Sequence, residues 1–343
     1  MSLPIPLDYA PMEARSVDAI PSGEGWLYEP KWDGFRCLAF RDADDVHLRS
    51  KAGQPLERYF PEIAGALRSL SAERFVLDGE LVVASGDALS FDDLLQRIHP
   101  AASRVDRLAR ETPATYLIFD LLADDRGRDL TTEPLERRRA ALETFAKKFA
   151  NDTKHLRLSP AATERAAVDA WYGQVGGALD GVIAKRLHVP YDSGKRDAMV
   201  KVKAIRSADC VVAGFRSSAD GESVGSLLLG LYDDAGLLDY VGFCSAFSAA
   251  ERKTLLAKLE PLRAPASFTG RTPGGPSRWN RGRDTSWKPL KPRLVLEVAF
   301  DQVTGGRFRH GTRPLRWRPD KNPKHCTVEQ IAQSDRTLRL FSE

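Results

Sequence analysis

At 343 residues, 42% hydrophobic and 29% charged, the chain carries enough apolar material for two domains with cores of ordinary size, and the charges are those of a soluble globular protein. A net charge of +4 does not by itself imply a nucleic-acid partner. Cys37, Cys210, Cys244 and Cys326 are scattered without metal-ligand spacing and read as free thiols of a reducing compartment; with no signal-peptide core in Met1 to Arg15 and no apolar run of membrane-spanning length, a cytoplasmic protein is expected.

Residues 1 to 25 are rich in Pro, Gly and small side chains and predict an extended lead-in. From Leu27 to Phe40, apolar residues at Leu27, Phe35, Leu38 and Phe40 predict two short buried strands, and Asp33-Gly34 is a pair that tight hairpin turns favour. Lys31 then falls at a rigid strand end. Val46 to Arg49 alternates as a half-buried strand does, and Ser50 to Gln54 turns. Phe75 to Val83 alternates about Asp78-Gly79-Glu80, which puts both carboxylates on one face and Leu77 and Leu81 on the other. Ser90 with Asp93 opens a short helix in capping-box fashion, with Phe91, Leu94, Leu95 and Ile98 as its buried stripe and Pro100 at its end.

Tyr116 to Leu122 is nearly all apolar and predicts a strand buried on both faces, in which Phe119 judged alone is a core residue. Helices are predicted from Thr132 to Phe149, with Pro134 in the first turn, and from Ser159 to Gln174, stopping at Gly176-Gly177. Asp180 to Lys185 reads as a turn followed by a core strand. In Met199 to Lys203, Val200 and Val202 face one way and Lys201 and Lys203 the other; two adjacent cations repel, so an anion beside them is expected. Beyond Lys203 come short β runs (210–215, 227–232, 237–243), a helix from Ser248, capped by Glu251, to Leu262, and a last strand, Leu294 to Phe300. This suits a small barrel of the OB type. Two basic stretches stand out. One runs from Arg271 to Lys288, with Arg278, Arg281 and Arg283 set against Asp284 and interleaved with Trp279 and Trp287. The other runs from Arg307 to Lys324, set against Asp320 and punctuated by Trp317 and Pro319.

The ordered set Lys31-Trp32-Asp33-Gly34 with Arg36, Arg49-Ser50, Asp78-Gly79-Glu80, Phe119-Asp120, Asp180-Gly181-Val182, Lys201-Val202-Lys203 and Arg318-Pro319-Asp320-Lys321 resembles the motifs of the nucleotidyltransferase superfamily of ATP-dependent DNA ligases and capping enzymes. Around Glu29 to Gly34, Asp180 to Arg186 and Arg316 to Pro319 it is most similar to the stand-alone bacterial ligase C type and to the ligase module of ligase D. The fold class this resemblance implies is α+β: a nucleotidyltransferase (adenylation) domain with antiparallel sheets and flanking helices over residues 1–205, followed by a C-terminal OB-fold β-barrel domain over residues 206–343.

The implied activity is sealing of nicks in double-stranded DNA during repair, with ATP as AMP donor and Mg²⁺, or Mn²⁺, as metal. By the resemblance Lys31 is the nucleophile, Lys201 and Lys203 hold the α-phosphate, Phe119 stacks on adenine, Glu80 meets the ribose, and Glu29 lies near the adenine edge with Lys185 among the nucleotide-binding residues. Arg36 and Arg49 contact the ribose or the nick phosphate. Asp33, which also counts among the catalytic residues, Glu80 and Asp180 are candidate metal ligands. Arg318 and Lys321 neutralise pyrophosphate, and the second domain closes for the first step and then grips DNA. Asp180 stands where the family usually has Glu, and Met199 where Trp often precedes the fifth motif. Neither an N-terminal DNA-binding domain nor a polymerase or nuclease module is expected; a monomer associated with the nucleoid is, with repair or end-joining factors as partners. The competing readings are RNA ligation or guanylyl transfer by the same lysine chemistry, and a non-catalytic OB-fold nucleic-acid binder.

Overall fold

The computed structural model describes residues 3–332 except 86–87, 152, 173–178, 204, 219–220 and 275–285. The chain divides into two compact units, one within residues 1–204 and one within 205–333. The first unit holds, in chain order, β1 (Arg15–Ser16), β2 (Trp26–Trp32), β3 (Phe35–Asp42), β4 (Asp45–Ser50), α1 (Pro61–Ser69), β5 (Arg74–Ser85), β6 (Ala88–Leu89), α2 (Phe91–Gln96), α3 (Ala102–Glu111), β7 (Ala114–Ala123), α4 (Leu135–Phe145), β8 (Leu156–Leu158), α5 (Arg165–Tyr172), β9 (Leu179–Arg186) and β10 (Met199–Lys203). These strands form a four-stranded sheet, β1-β10-β9-β2, and a six-stranded one, β4-β3-β5-β7-β8 with β6 on β5.

Period-two patterning explains how the sheets pack. On β3, Cys37 and Ala39 face a core shared with Ile63 and Leu67 of α1 and Leu142 and Phe145 of α4, while Leu38 and Phe40 face a second core with Met12, Tyr191 and Met199. Burying a side chain such as Phe40 or Leu38 completely stabilises the fold by about 1.5–3 kcal/mol, which is why β3 and β7 are nearly continuous apolar runs. Arg138 of α4 is fully buried because it forks onto Asp120, with Nε 2.9 Å from Oδ1 and Nη2 3.1 Å from Oδ2.

The strand readings of the first unit hold, but Asp33-Gly34 is not a hairpin turn. β2 pairs with β9 in one sheet, whereas β3 pairs with β4 and β5 in the other. The chain crosses between sheets at Gly34, where a Cβ would collide with the Leu81 carbonyl oxygen and the Glu80 side chain. The glycine answers a close approach, not a turn type. In α2, Ser90 accepts from the Asp93 amide as its cap, but only Leu94 of the expected stripe is buried; Leu95 and Ile98 are 48% and 43% exposed. The helix has six residues, too short to turn the whole stripe inward. α5 begins at Arg165, not Ser159, because Ser159 is a buried residue after β8 whose hydroxyl accepts from Trp32 Nε1 at 2.9 Å. The expected end of that helix at Gln174 and Gly176-Gly177 lies outside the described residues.

The second unit holds β11 (Arg206–Ser217), β12 (Val224–Tyr232), β13 (Leu238–Cys244), α6 (Ala249–Leu259), β14 (Lys288–Phe300), β15 (Val303–Thr304), β16 (Arg307–Phe308) and β17 (Arg313–Trp317). Its main sheet runs β13-β12-β11-β14-β17, antiparallel throughout, so the first strand is central and the third and fifth are edges. The edges meet at a parallel bridge between Cys244 and Thr312, where the Thr312 amide donates to the Phe243 carbonyl at 2.9 Å. With α6 between the third and fourth strands this is the partly open OB barrel. Ser248 and Glu251 form the full capping box of α6.

Two readings of this unit change. Leu294 to Phe300 is not the last strand, since the basic tail itself supplies β17. Three of its cations are ion-paired: Arg316 with Glu297 at 2.6 Å, Arg318 with Asp209 at 3.0 Å and Asp320 at 2.9 Å, and Lys321 with Asp209 at 3.5 Å. In the basic loop, Arg278, Trp279, Arg281, Arg283 and Asp284 lie outside the described residues. Trp287 packs on the barrel core, edge-on to Phe268. All four cysteines are buried and free. Among the described residues no helix is long and apolar enough to cross a membrane.

Candidate active site

Within the first unit a cleft is lined by Glu29, Lys31, Arg36, Glu80, Phe119, Lys185 and Lys201, with Lys51 and residues 11–14 at its wall. Residues from six strands thus converge. The organising strand is β9: Gly181 pairs with Lys31 of β2 on one side and with Lys203 of β10 on the other. The β2 register slips between Lys31, opposite Gly181, and Trp32, opposite Leu179, so Asp180 is the extra residue of a β-bulge. Bulges re-aim side chains. Here the Asp180 carboxylate reaches the Lys31 ammonium and lies 3.7 Å from Lys203 Nζ. Asp180 thus supplies an anion beside Lys203, one of the lysine pair.

A second bulge places Phe119. Asp78 pairs with Asp120 and Gly79 with Ile118, which leaves Phe119 as the extra residue of β7. Its ring lies at the cleft with Arg36 and Lys185 each 4.5 Å from its centroid. Arg36 is held by a two-pronged ion pair to buried Asp78, both contacts 2.6 Å. Burial acts against the Arg36 charge, but Asp78 outweighs it and keeps the guanidinium protonated. Lys185 Nζ sits 2.8 Å from Glu29 Oε2, and both residues are 2% exposed. Glu29 Oε1 has no hydrogen-bond partner among the described residues, nor has Arg139 Nη1, 3.9 Å away. A buried polar atom without a partner is costly, so one beside a cleft is suited to a polar ligand edge.

Lys201 is held below the usual lysine range, first by burial and then by the neighbouring charges of Lys31 and Lys203. Glu80 is pushed up to about 7, chiefly by burial and further by Asp78 and Asp33, against the pull of Arg36 and Lys31. Its folded value lies above the ordinary 4.5, so the folded protein keeps this proton longer than the unfolded chain, and stability falls as pH rises from about 4.5 through about 7. Glu80→Gln is expected to remove that component: the melting temperature should fall less between pH 5 and pH 8 in the variant than in the parent, and equal falls would refute it.

Arg49 does not join the cleft. It pairs with Glu57 at 3.5 Å, and Lys51, two residues on, lines the wall in its place. β4 ends at Ser50, so Lys51 reaches the wall from the turn that follows the strand. Asp33 is not among the lining residues and acts on the site through the Glu80 charge. Arg318 and Lys321 belong to the second unit and are paired with Asp209. The sequence reading missed Lys51, Arg139 and Glu13, none of which falls in a recognisable pattern.

The three candidate metal ligands do not form a cage. Among the described residues no group of three or more His, Cys, Asp or Glu converges, and Asp180 is committed to lysines. Mg²⁺ commonly takes one or two carboxylates and completes its shell with substrate phosphates and water. Glu80 with Asp33 nearby fits that pattern, and Asp180 does not.

The family described as "ATP dependent DNA ligase domain" matches residues 11–203, and "ATP dependent DNA ligase C terminal region" matches 220–321. The chain is 46% identical over 348 residues to DNA ligase C of Mycobacterium tuberculosis and 47% identical over 342 residues to DNA ligase C1 of Mycolicibacterium smegmatis, in both cases over 96% of each chain. It is 32% identical over 338 residues to the multifunctional non-homologous end joining protein LigD of Pseudomonas aeruginosa, across 96% of this chain and 38% of that protein. A solved structure of a Lig E DNA ligase shares the fold, with a TM-score of 0.55 and 19% identity over 90% of this chain and 99% of that one.

Proposed function

This chain belongs to the ATP-dependent DNA ligase family, and from that premise we propose that it seals nicks through a covalent adenylate on Lys31. The observation that carries this reading is the alignment of Lys31, Asp180, Lys201 and Lys203 about one strand.

In the first step the Lys31 amine, its proton released, attacks the α-phosphorus of ATP. A P–N bond forms, the bond to the β-phosphate bridging oxygen breaks, and pyrophosphate leaves. Lys201 and Lys203 offset the charge that builds on the α-phosphate oxygens, the kind of preorganised stabilisation that is strongest in a partly dry site. Asp180 holds the Lys31 amine in line. Next a 5′-phosphate oxygen at the nick attacks the same phosphorus and the P–N bond breaks, which returns Lys31. Finally the 3′-hydroxyl attacks the 5′-phosphorus and AMP departs.

Glu29 Oε1 is the acceptor we assign to the exocyclic amine of adenine, with Lys185 fixing the carboxylate; guanine presents an oxygen at that position and would be repelled. Phe119 takes the base face. Mg²⁺, when bound with the nucleotide, would neutralise phosphate charge, held by Glu80 and Asp33 together with phosphate oxygens.

The test is incubation with α-labelled ATP or GTP and a divalent metal, then denaturing electrophoresis, then nicked DNA or RNA. Label from ATP on the protein, chased by nicked DNA with strand sealing, is the expected result. Label from GTP, or a chase by RNA alone, would move the activity to the capping or RNA-ligase branch. Absence of label from folded protein would leave a nucleic-acid binder.

A further inference from the structure

One polar contact at the wall of the cleft is explained neither by the family motifs nor by the lysine chemistry. Tyr191, in the loop between β9 and β10, is 5% exposed, and its hydroxyl stands between two groups. It donates to Asp78 Oδ2 at 2.6 Å and accepts from the Met12 amide at 2.9 Å. Burial first, and then the Asp78 charge, hold the phenol well above its ordinary range, so it remains the donor to Asp78 at any working pH.

Each partner belongs to a different part of the cleft. Met12 lies in the segment from Pro11 to Ala14, which lines it directly. Asp78 carries Arg36, and Arg36 covers the Phe119 ring. The segment is otherwise tied at its outer side. Ser193 Oγ donates to the Ala10 carbonyl at 2.8 Å, the Glu13 amide donates to the Lys195 carbonyl at 2.8 Å, and the Glu13 carboxylate takes Arg196 at 2.7 Å and Lys51 at 3.1 Å. The bonds from Ser193, Lys195 and Arg196 hold the strap to the loop after β9, and the one from Lys51 ties it to the residue that follows β4. The Tyr191 hydroxyl, by contrast, joins the strap to the wall made by Asp78, Arg36 and Phe119.

The geometry points to Tyr191 as a positioning residue for ATP: it couples the strap at Met12 to the Asp78–Arg36–Phe119 wall, so that both sides of the cleft are set before the nucleotide arrives. It touches neither ATP nor the reacting atoms, and it rests on the reading of this cleft as the ATP site. Preorganisation of this kind acts on binding, whereas the attack by Lys31 and the support from Lys201 and Lys203 lie outside the network. The signature is therefore a change in KM without a change in kcat.

Tyr191→Phe keeps the ring, its packing on Tyr9 and its place in the core, and removes the hydroxyl alone. In self-adenylation with labelled ATP, KM for ATP should rise about tenfold, the size of one lost hydrogen bond to a charged group, with kcat within about twofold of the parent. An unchanged KM, or a kcat that falls as far as KM rises, would overturn the assignment. A Tyr191→Phe protein that fails to fold would likewise overturn the assignment, since the hydroxyl would then serve the stability of the core and not the setting of the cleft. If the parent itself takes no label from ATP, the function fails before Tyr191 is tested. A labelled parent with an indifferent Tyr191→Phe refutes the positioning role alone.

Discussion

A Lys31→Ala protein is expected to take no label from ATP, a loss of more than about ten-thousandfold in self-adenylation, because no other amine in the cleft can replace the nucleophile. Lys201 and Lys203 stand on the far side of β9 from Lys31, across Gly181, and Asp180 lies between the two sides. Neither lysine can move to the position of Lys31 without breaking the β9–β10 ladder. The substitution should leave the fold intact, since Lys31 is a half-buried side chain and Asp180 retains Lys203. It also separates the steps. A nick that already carries AMP on its 5′-phosphate needs no lysine nucleophile, so Lys31→Ala should still close it, measured by strand length on a denaturing gel. Label retained on Lys31→Ala would mean that another residue is the nucleophile. Failure on both ATP and the adenylated nick would mean that Lys31 serves the architecture of the cleft and not the chemistry alone.

The second large effect is expected at Gly181, and here it is structural in origin. Gly181 has φ +143°, and a Cβ there would collide with the Val202 carbonyl oxygen and lie 3.0 Å from Lys203 Cα. Both atoms are backbone of β10, so no flexible side chain can give way. Strain in a backbone region that side chains avoid costs about 1–3 kcal/mol, and overpacking against a rigid neighbour costs about as much again. Gly181→Ala should thus destabilise the protein by about 3 kcal/mol or more, seen as a lowered midpoint of denaturant unfolding. Whatever folds should adenylate poorly, because relief of the clash pushes β10, with Lys201 and Lys203, away from Lys31. A variant of parental stability and activity would show that β9 and β10 do not have to lie this close.

The two positions illustrate how much could be read without the structure. Lys31 was legible because it lies in a motif whose order with the others is particular, and because the strand that carries it has an apolar pattern of its own. Gly181 was legible only as half of an Asp-Gly pair, whose commoner use is a turn; in the protein it is a mid-strand residue pressed between two lysine-bearing strands. Asp33-Gly34 misled in the same way. Local chemistry favoured a hairpin, and the requirement for a glycine came instead from the Leu81 carbonyl, which is distant in sequence. Lys51 lines the cleft from the turn after β4, outside any strand pattern or motif that could have marked it.

What the sequence determined by itself is the set of strands and their faces, the order of the motifs, and with them the family, because alternation and motif order are local or one-dimensional properties that survive in a string of letters. Only the tertiary structure decided which of the motif residues meet. Phe119 enters the cleft, and Asp180 reaches Lys31, as the extra residues of β-bulges, whose positions depend on the register of a neighbouring strand. Asp78, read as a site-facing carboxylate beside Glu80, is fully buried under Arg36 and Tyr191, while Glu80, two residues on, lines the cleft. Tyr191 carries no motif at all. Its role follows from a hydroxyl placed between residues 12 and 78, a proximity that packing creates and that no pattern along the chain encodes.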